Sequence, residues 1–438
     1  MTRKNYVWKI GEELPELAPH SLAKHRIYRR YIERYIEILT ASSGQEELNL
    51  TIVDGYSGGG AYRLGRDIVE GSPLIMLRAV LAAEFKLNTA RPKGFKINAH
   101  FYFTDTVRDH CAFLVEEIRK SEFSERLDRT VFVRHGDFNE LAPNIIDEIQ
   151  QRQKAHRSLF FLDQNGWSQV SFDTVRRILR ELKNPEIFLT FSVDALIDYL
   201  SEKKLDLRAF GVIDFNQDLV RELVRVGEEE QSGWRTVIQN TLYAHIQQAT
   251  GAPHYSPFFV KASEGHRAYW LIHLSKHHEA RNEIGNIHWE EANASIHHGG
   301  AGFHALGFSH SRDPFQLALG SVFDEPARKN SLQVVAEQVP SLVRSMLDAE
   351  NRPPTIRELF ISRCNDTPVT RGLLEPVIVR LRDEGELKIE SKDGRERPRA
   401  STVNWDDKII VPPQKSFWGR ITGFAPENKN GPSSQDSG

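Results

Sequence analysis

Cysteine is nearly absent: the 438 residues hold two, Cys111 and Cys364, far apart and in unrelated contexts. That scarcity excludes a disulfide framework and a thiolate metal cage, and it points to a reducing compartment. Long apolar runs are missing too. The opening stretch "MTRKNYVWKIGEELPELAPHS" has no apolar leader region, and no later stretch approaches the roughly eighteen uncharged apolar residues that span a bilayer. Charge of one sign is also lacking. The formal net charge of -3 leaves no global field to recruit nucleic acid or an anionic membrane, so any polyanion must be held by local patches. The expectation is a soluble, cytoplasmic chain without membrane contact.

Hydrophobic residues at 39% and charged residues at 27% are ordinary globular values, and the length favours one large and one small domain. Residues 20–40, "HSLAKHRIYRRYIERYIEILT", carry Ile27, Tyr31, Ile32, Tyr35, Ile36 and Leu39 at helical spacing. The opposite face holds Lys24, His25, Arg26, Arg29, Arg30 and Arg34, either as a solvated surface or as a contact for phosphates or a cofactor.

From residue 48 the pattern alternates between strand and helix. "LNLTIVD" (48–54), "AHFYFTD" (99–105), "TVFVRHGD" (130–137), "RSLFFLD" (157–163) and "EIFLTFS" (186–192) are short, near-continuous apolar runs, as strands buried on both faces of a parallel sheet require. Amphipathic segments separate them, the first opening with Ser72 as the expected N-cap and Pro73 in the first turn. "SPFFVKASEGHRAYWLIHLS" then predicts a hairpin around "EGH". The predicted fold is α/β, a doubly wound Rossmann-like sheet of five parallel strands plus an antiparallel hairpin, with a small winged helix-turn-helix domain. The expected organisation is a helical segment at 1–47, a sheet domain at 48–308 with a helical insertion at 194–250, and a linker at 309–352. A winged helix at 353–413 and a disordered polar tail at 414–438 complete it.

In such a sheet ligands bind at the carboxyl ends of the strands, and four of the five runs close on aspartate: Asp54, Asp105, Asp137 and Asp163. The first is followed by "GYSGGG". Counting from Asp54, Tyr56 takes the second place and Gly58 and Gly60 the fourth and sixth, which is neither a dinucleotide fingerprint nor a phosphate loop. The spacing resembles motif I of class I S-adenosylmethionine-dependent methyltransferases, especially those acting on nucleic-acid bases. By that resemblance Asp54, Gly55, Tyr56, Gly58 and Gly60 hold the methionine part of the cofactor, and Asp105 binds the ribose. Asp137 meets the adenine amino group, with Phe138 available to stack. Asp105 and Asp137 also read as plain helix N-caps.

The acceptor turn is expected at "FFLDQNGW", where Asp163 and Asn165 can hold or deprotonate an amine and Trp167 supplies an aromatic face. Both prolines of the D/N-P-P-aromatic turn of amino-methyltransferases are missing. Cytosine C5 chemistry is disfavoured, because it needs a nucleophilic cysteine here and Cys111 falls on the helix after the second strand.

"PHSLAKHRIYRRYIERYIEIL", "VDGYSGGGAYRLG", "VEGSPLIMLRAV", "LFFLDQNGWSQVSFDTVRRIL" and "AYWLIHLSKHHEARNEIGNIHWE" together resemble successive blocks of the three-Cys-motif partner protein family. The resemblance covers residues 5–300 or so and implies a methyltransferase-like fold and a partner protein with a three-cysteine, iron–sulfur motif. His20 and Lys24 match the family's N-terminal block, which places Lys24 against the cofactor's carboxylate. The family's "DP-[FY]-G" stands here as Asp163, Gln164, Asn165 and Gly166.

In the small domain the candidate recognition helix runs from Thr370 to Asp383 and carries Arg371. The wing "SKDGRERPRAS" presents Lys392, Arg395, Arg397 and Arg399. These residues suit nucleic-acid phosphates, while a protein-docking role fits the same module. The histidines of "KHHE" and "IHHGGAGFHALGFSH" lack metal-site spacing and read as polar loop. Two functions follow as expectations. One is an S-adenosylmethionine-dependent methyltransferase acting on nucleic acid at a base nitrogen. The other is a catalytically degenerate cofactor-binding subunit that recruits nucleic acid to the iron–sulfur partner.

Overall fold

The computed structural model describes residues 6–42, 44–200, 206–229, 234–261, 268–291, 295–297, 301–303 and 321–412. An irregular N-terminal segment leads into α1 (Pro19–Leu39), whose apolar stripe buries Ile27, Tyr28, Tyr31, Ile32, Tyr35 and Ile36. Then come β1 (Glu47–Asp54), the short hairpin β2 (Ala61–Leu64) and β3 (Asp67–Glu70), and α2 (Ser72–Ala90). The expected alternation follows as β4 (Lys96–Asp105), α3 (Arg108–Lys120), β5 (Val131–His135), α4 (Phe138–Arg152), β6 (Arg157–Leu162), α5 (Phe172–Glu181) and β7 (Asn184–Phe191). Helices α6 (Val193–Leu200), α7 (Gln217–Glu229) and α8 (Trp234–Thr250) fill the predicted helical insertion. They are followed by the hairpin β8 (His254–Lys261) and β9 (Ala268–Ser275), and by α9 (His278–Glu290). The "EGH" at the hairpin tip lies outside the described residues.

The remaining elements are β10 (Ser295–His297), β11 (Ser321–Val322), α10 (Glu325–Glu350), α11 (Ile356–Arg363), α12 (Arg371–Asp383), β12 (Lys388–Glu390) and β13 (Lys408–Ile410). Most of the stretch read as a linker is thus one long helix, α10. Its internal Pro340 disguised the periodicity of the buried Val335, Val339, Leu342 and Val343. The expected tail, 414–438, lies outside the described residues, as does much of the histidine-bearing stretch between 298 and 310. No described helix is long and apolar enough to cross a membrane.

The main sheet has nine strands in the order β11-β10-β8-β9-β7-β6-β1-β4-β5. Within it β5, β4, β1, β6 and β7 are parallel neighbours, and β9 lies antiparallel between β7 and β8. This is the sheet of the Rossmann-like methyltransferase folds: five parallel strands with the chain reversing direction beside β1, plus a terminal hairpin whose second strand inserts next to the fifth. The extension by β10 and β11 was not expected from the sequence.

Strand period explains why the parallel strands read as unbroken apolar runs. Leu48, Leu50 and Ile52 of β1 face one core, shared with α1 and α2, while Val53 faces the other, shared with α4 and α5. On β6, Leu159 and Phe161 take the first core, and Phe160 and Leu162 the second. Phe161 stacks on Phe188 of β7, with centroids 4.9 Å apart and planes 7° from parallel, and Tyr28 of α1 packs on it at 4.7 Å.

The chain divides into two compact units. One comprises the described residues up to Gln338 together with Phe360–Val377, and the other Val339–Leu359 with the described residues from Ile378 on. The first unit's claim on 360–377 has local causes. Arg281 of α9, fully buried, donates to the Thr367 carbonyl, Trp289 donates to Pro368 O (2.8 Å), and Asn282 accepts from Arg371 N (2.7 Å). In the second unit β12 pairs antiparallel with β13, and Ile356 N and Arg357 N donate to Asp407 O (3.0 Å) and Trp405 O (2.9 Å).

Replacing Phe161 by alanine is expected to destabilise the sheet unit by about 3–5 kcal/mol, since the site is fully buried between two other rings and cannot collapse. A thermal-unfolding series of Phe161→Ala against Phe161→Leu checks this, with the leucine variant losing less.

Candidate functional site at the carboxyl ends of the strands

The loop after β1 crosses the place where the strand order reverses, and it is tied to both neighbours. Gly55 N donates to Phe161 O of β6 (2.9 Å) and Ser57 N to Thr104 O of β4 (2.9 Å), while Thr104 Oγ1 donates back to Gly55 O (2.8 Å). Two of the expected carboxylates hold the same loop. Asp54 accepts from Tyr56 N (3.1 Å), and Asp105 Oδ2 accepts from Gly58 N (3.1 Å). Asp105 Oδ1 also accepts from Val107 N (2.8 Å) and pairs with His110 Nδ1 (3.1 Å). These bonds organise the loop and the start of α3, with Val107 rather than Asp105 at the helix N-cap.

Ser72, expected as a cap, instead begins α2 and donates to Asp54 Oδ2 (2.6 Å), and Gly71 occupies the cap position. Asp54 is 1% exposed, and burial pushes its pKa up to about 7; the Ser72 and Tyr56 hydrogen bonds oppose this, and Asp163 and Asp105 add to it.

The glycines have a use that the sequence did not disclose. Gly58 and Gly60 adopt φ of 59° and 82°, which side-chain-bearing residues rarely do. A Cβ at Gly58 would lie 2.7 Å from the indole of Trp8, and one at Gly59 would overlap that ring outright. Trp8, 4% exposed, lies on the loop, donates from Nε1 to Ala61 O (2.6 Å) and meets His110 edge-on at 4.9 Å. Neither Trp8 nor His110 was singled out. Trp8 sits in a segment without periodicity, and the one available signal for His110 was its position one helical turn past the strand-end Asp105.

The other expected cofactor residues divide. Asp137 is the N-cap of α4, accepting from Asn139 N (2.7 Å), so its capping reading holds. Phe138 is 1% exposed and belongs to the core beneath Gly55, which leaves no free face for stacking. Tyr56 is half-buried, its ring 6.4 Å from Phe138; its hydroxyl has no hydrogen-bond partner, and burial, aided by the Asp137 charge, raises its pKa.

Lys24 does reach the strand ends, but its ammonium meets Asp163 instead of an open position, with Nζ 2.6 Å from both carboxylate oxygens. Burial alone would raise the pKa of Asp163; the Lys24 charge and hydrogen bond outweigh it and hold the group below its ordinary value. The rest of the turn folds around Gln164, whose Oε1 accepts from Gln169 N (2.8 Å) and Val170 N (2.9 Å). Asn165 is exposed. Trp167 is 4% exposed and packs on Tyr199 (5.5 Å) and Phe210 (5.2 Å), so its ring belongs to the core and is not presented to a ligand.

Of the expected nucleic-acid residues, Lys392, Arg395 and Arg399 are exposed. Arg397 is committed to Asp407, 3.0 and 3.2 Å from its two oxygens, and Arg371 to Glu375 at 2.6 Å. The basic tip is thus smaller than its sequence suggests. Among the described residues no group of three or more His, Cys, Asp or Glu side chains is placed to hold a metal ion. Cys111 is buried in α3, as expected of an apolar-face residue.

No protein-family model matches the chain, and no curated protein does. Among solved structures it is similar to Trm1 from Pyrococcus horikoshii in complex with S-adenosyl-L-methionine, at 12% identity over 93% of this chain and 95% of that chain, with a TM-score of 0.29. The N-terminal domain of human METTL16 in complex with SAH is 11% identical over 62% of this chain and 76% of its own, with a TM-score of 0.28. Protein LPL1258 from Legionella pneumophila is 9% identical over 63% of this chain and 96% of its own, with a TM-score of 0.35. Superpositions at these scores carry no weight, and the fold class rests on the strand order of this chain.

Asp54 generates a pH dependence of stability. Its folded pKa of about 7 lies above the ordinary 3.8, so its contribution is fully present below pH 3.8 and is lost as pH rises through about 7. The loss is on the order of 4 kcal/mol. Thermal unfolding between pH 4 and 8 should show a decline in the native chain that Asp54→Asn flattens.

Proposed function

We propose that the chain binds S-adenosylmethionine at the carboxyl ends of β1, β4, β5 and β6 and transfers its methyl group to nucleic acid. The observation that carries this reading is the strand order joined to the pair Asp54 and Asp105, both bonded to the loop that crosses the switch point. The donor set fits the cofactor. Asp105, at the end of β4, suits ribose hydroxyls, and Asp54 suits the ammonium of the amino-acid end. The glycines are not needed for the argument, because Trp8 alone accounts for two of them.

When bound, the cofactor supplies an electrophilic methyl on a sulfonium, and holding it near a nucleophile lowers the barrier by proximity. The residues of this chain have distinct parts in that task. Asp105 and His110 fix the loop, Asp54 provides a carboxylate whose charge depends on pH near 7, and Asp163 faces the acceptor. The module with α11, α12, β12 and β13 is read as a winged helix that contacts nucleic acid through the exposed Lys392, Arg395 and Arg399.

One feature favours a second reading, that of a cofactor-binding subunit without catalysis, serving the three-cysteine iron–sulfur partner that the sequence resemblance implies. Asp163 is already paired with Lys24, and Trp167 is buried in the core.

Calorimetry with S-adenosylmethionine separates these readings from failure of both. Binding is expected, and because a cationic ligand selects ionised Asp54, affinity should rise about tenfold from pH 6 to pH 8, with Asp54→Asn abolishing the rise. Labelled methyl transfer to total DNA or RNA, lost in Asp163→Ala, supports the enzyme; tight binding without transfer supports the second reading. For the wing, reversing the charges of Lys392, Arg395 and Arg399 should weaken DNA or RNA binding and reduce its salt slope by about two to three, whereas reversal of the already paired Arg371 should change the slope little.

A further inference from the structure

The cluster around Asp163 holds more polar atoms than it satisfies. Lys24, 6% exposed, reaches it from α1 and contacts both oxygens of the carboxylate. Next to Lys24, His25 Nδ1 is buried and has no hydrogen-bond partner, and next to Asp163 the same holds for Gln164 Nε2, while Thr190 bonds both Tyr28 and Asp163. His25 and Gln164 are 8% and 3% exposed, and burial, aided by the Lys24 charge, lowers the pKa of His25 to about 4, so the imidazole is neutral. Buried polar atoms without partners are costly and uncommon, so two of them, on the residues adjoining Lys24 and Asp163, mark a place built for a polar group beyond the side chains that now fill it.

Lys24 is well suited to filling that place provisionally. The helix that bears it is held by Arg26–Glu291 (3.0 Å), Arg30–Glu290 (3.1 Å) and Arg34–Glu283 (2.9 Å) along its exposed side and by Ile27, Ile32 and Ile36 inside. The four-carbon stem of Lys24 can rotate without moving the helix. What it presents to Asp163 is an ammonium whose N–H groups donate to the carboxylate, as the N–H groups of an acceptor's amino group would.

We infer that Lys24 is an internal competitor for the amine position of Asp163: its ammonium occupies the place taken by the amino group of the acceptor and swings out when one binds. The inference rests on the methyl-transfer reading and names its acceptor as an exocyclic amine. Lys24 thereby sets specificity, because only an acceptor whose amine displaces it gains access to the carboxylate.

Two adenosyl amino acids test this without turnover: S-adenosylhomocysteine, and sinefungin, which carries an amine where the donor carries its methyl. The native chain should bind the two within about threefold of each other, whereas Lys24→Met should prefer the amine by about tenfold, the worth of one freed charge-assisted hydrogen bond. Lys24→Met with Asp163→Asn should lose that preference. Binding of both compounds by Lys24→Met without preference overturns the inference alone. Failure of either compound to bind the native chain overturns the methyl-transfer reading and the inference with it. Because Lys24→Met leaves a half-buried carboxylate uncompensated, the native chain supplies an independent measurement: the rate of reductive methylation of Lys24, followed by mass spectrometry. Sinefungin should raise that rate and S-adenosylhomocysteine should not; a rate unchanged by saturating sinefungin overturns the inference.

Discussion

Gly55 donates to Phe161 on one side of β1 and Ser57 to Thr104 on the other, and these two bonds fix the loop that Asp54 and Asp105 hold. They bridge the point where the strand order reverses, a gap that no helix covers because the crossovers leave in opposite directions. With the loop fixed there, Asp54 is sealed against Ser72, Asp105 is brought to Gly58, and the surface on which Trp8 lies is formed. Loss of this bracing would separate the carboxylates before it touched either core.

Those carboxylates are crowded. Asp54, Asp105 and Asp163 act on one another, and two of them are resolved in opposite ways: Asp54 by taking a proton near neutrality, Asp163 by taking the Lys24 ammonium. Crowding three like charges at one sheet end, one of them fully buried, without such compensation would be costly.

The small module shows how a basic tip is reduced by its own fold. Arg397 neutralises Asp407, and the Arg371 guanidinium is taken by Glu375 one turn along α12, so the residues left for a polyanion are fewer than a sequence count gives. A long-range field is absent at a net charge of -3, so any polyanion held at this face would depend on those few contacts.

The sequence by itself determined the sheet: apolar runs buried on both faces, aspartates closing them, and a glycine-bearing turn after the first are local patterns, and local periodicity is enough to read them. It also determined that Cys111 faces a core and that Asp137 suits a helix start. The partners of the charged and aromatic residues were decided only by tertiary structure. Lys24 and Asp163 are 139 positions apart, Trp8 and Ala61 53, and no spacing rule connects them. Likewise, Trp167 and Phe138 look like ligand-stacking rings in sequence, and only the packing of α4, α5 and the helical insertion shows them to be core. Burial and pairing across the chain are properties of the assembled layers, and the same residue types satisfy a ligand or a neighbour equally well until the layers are in place.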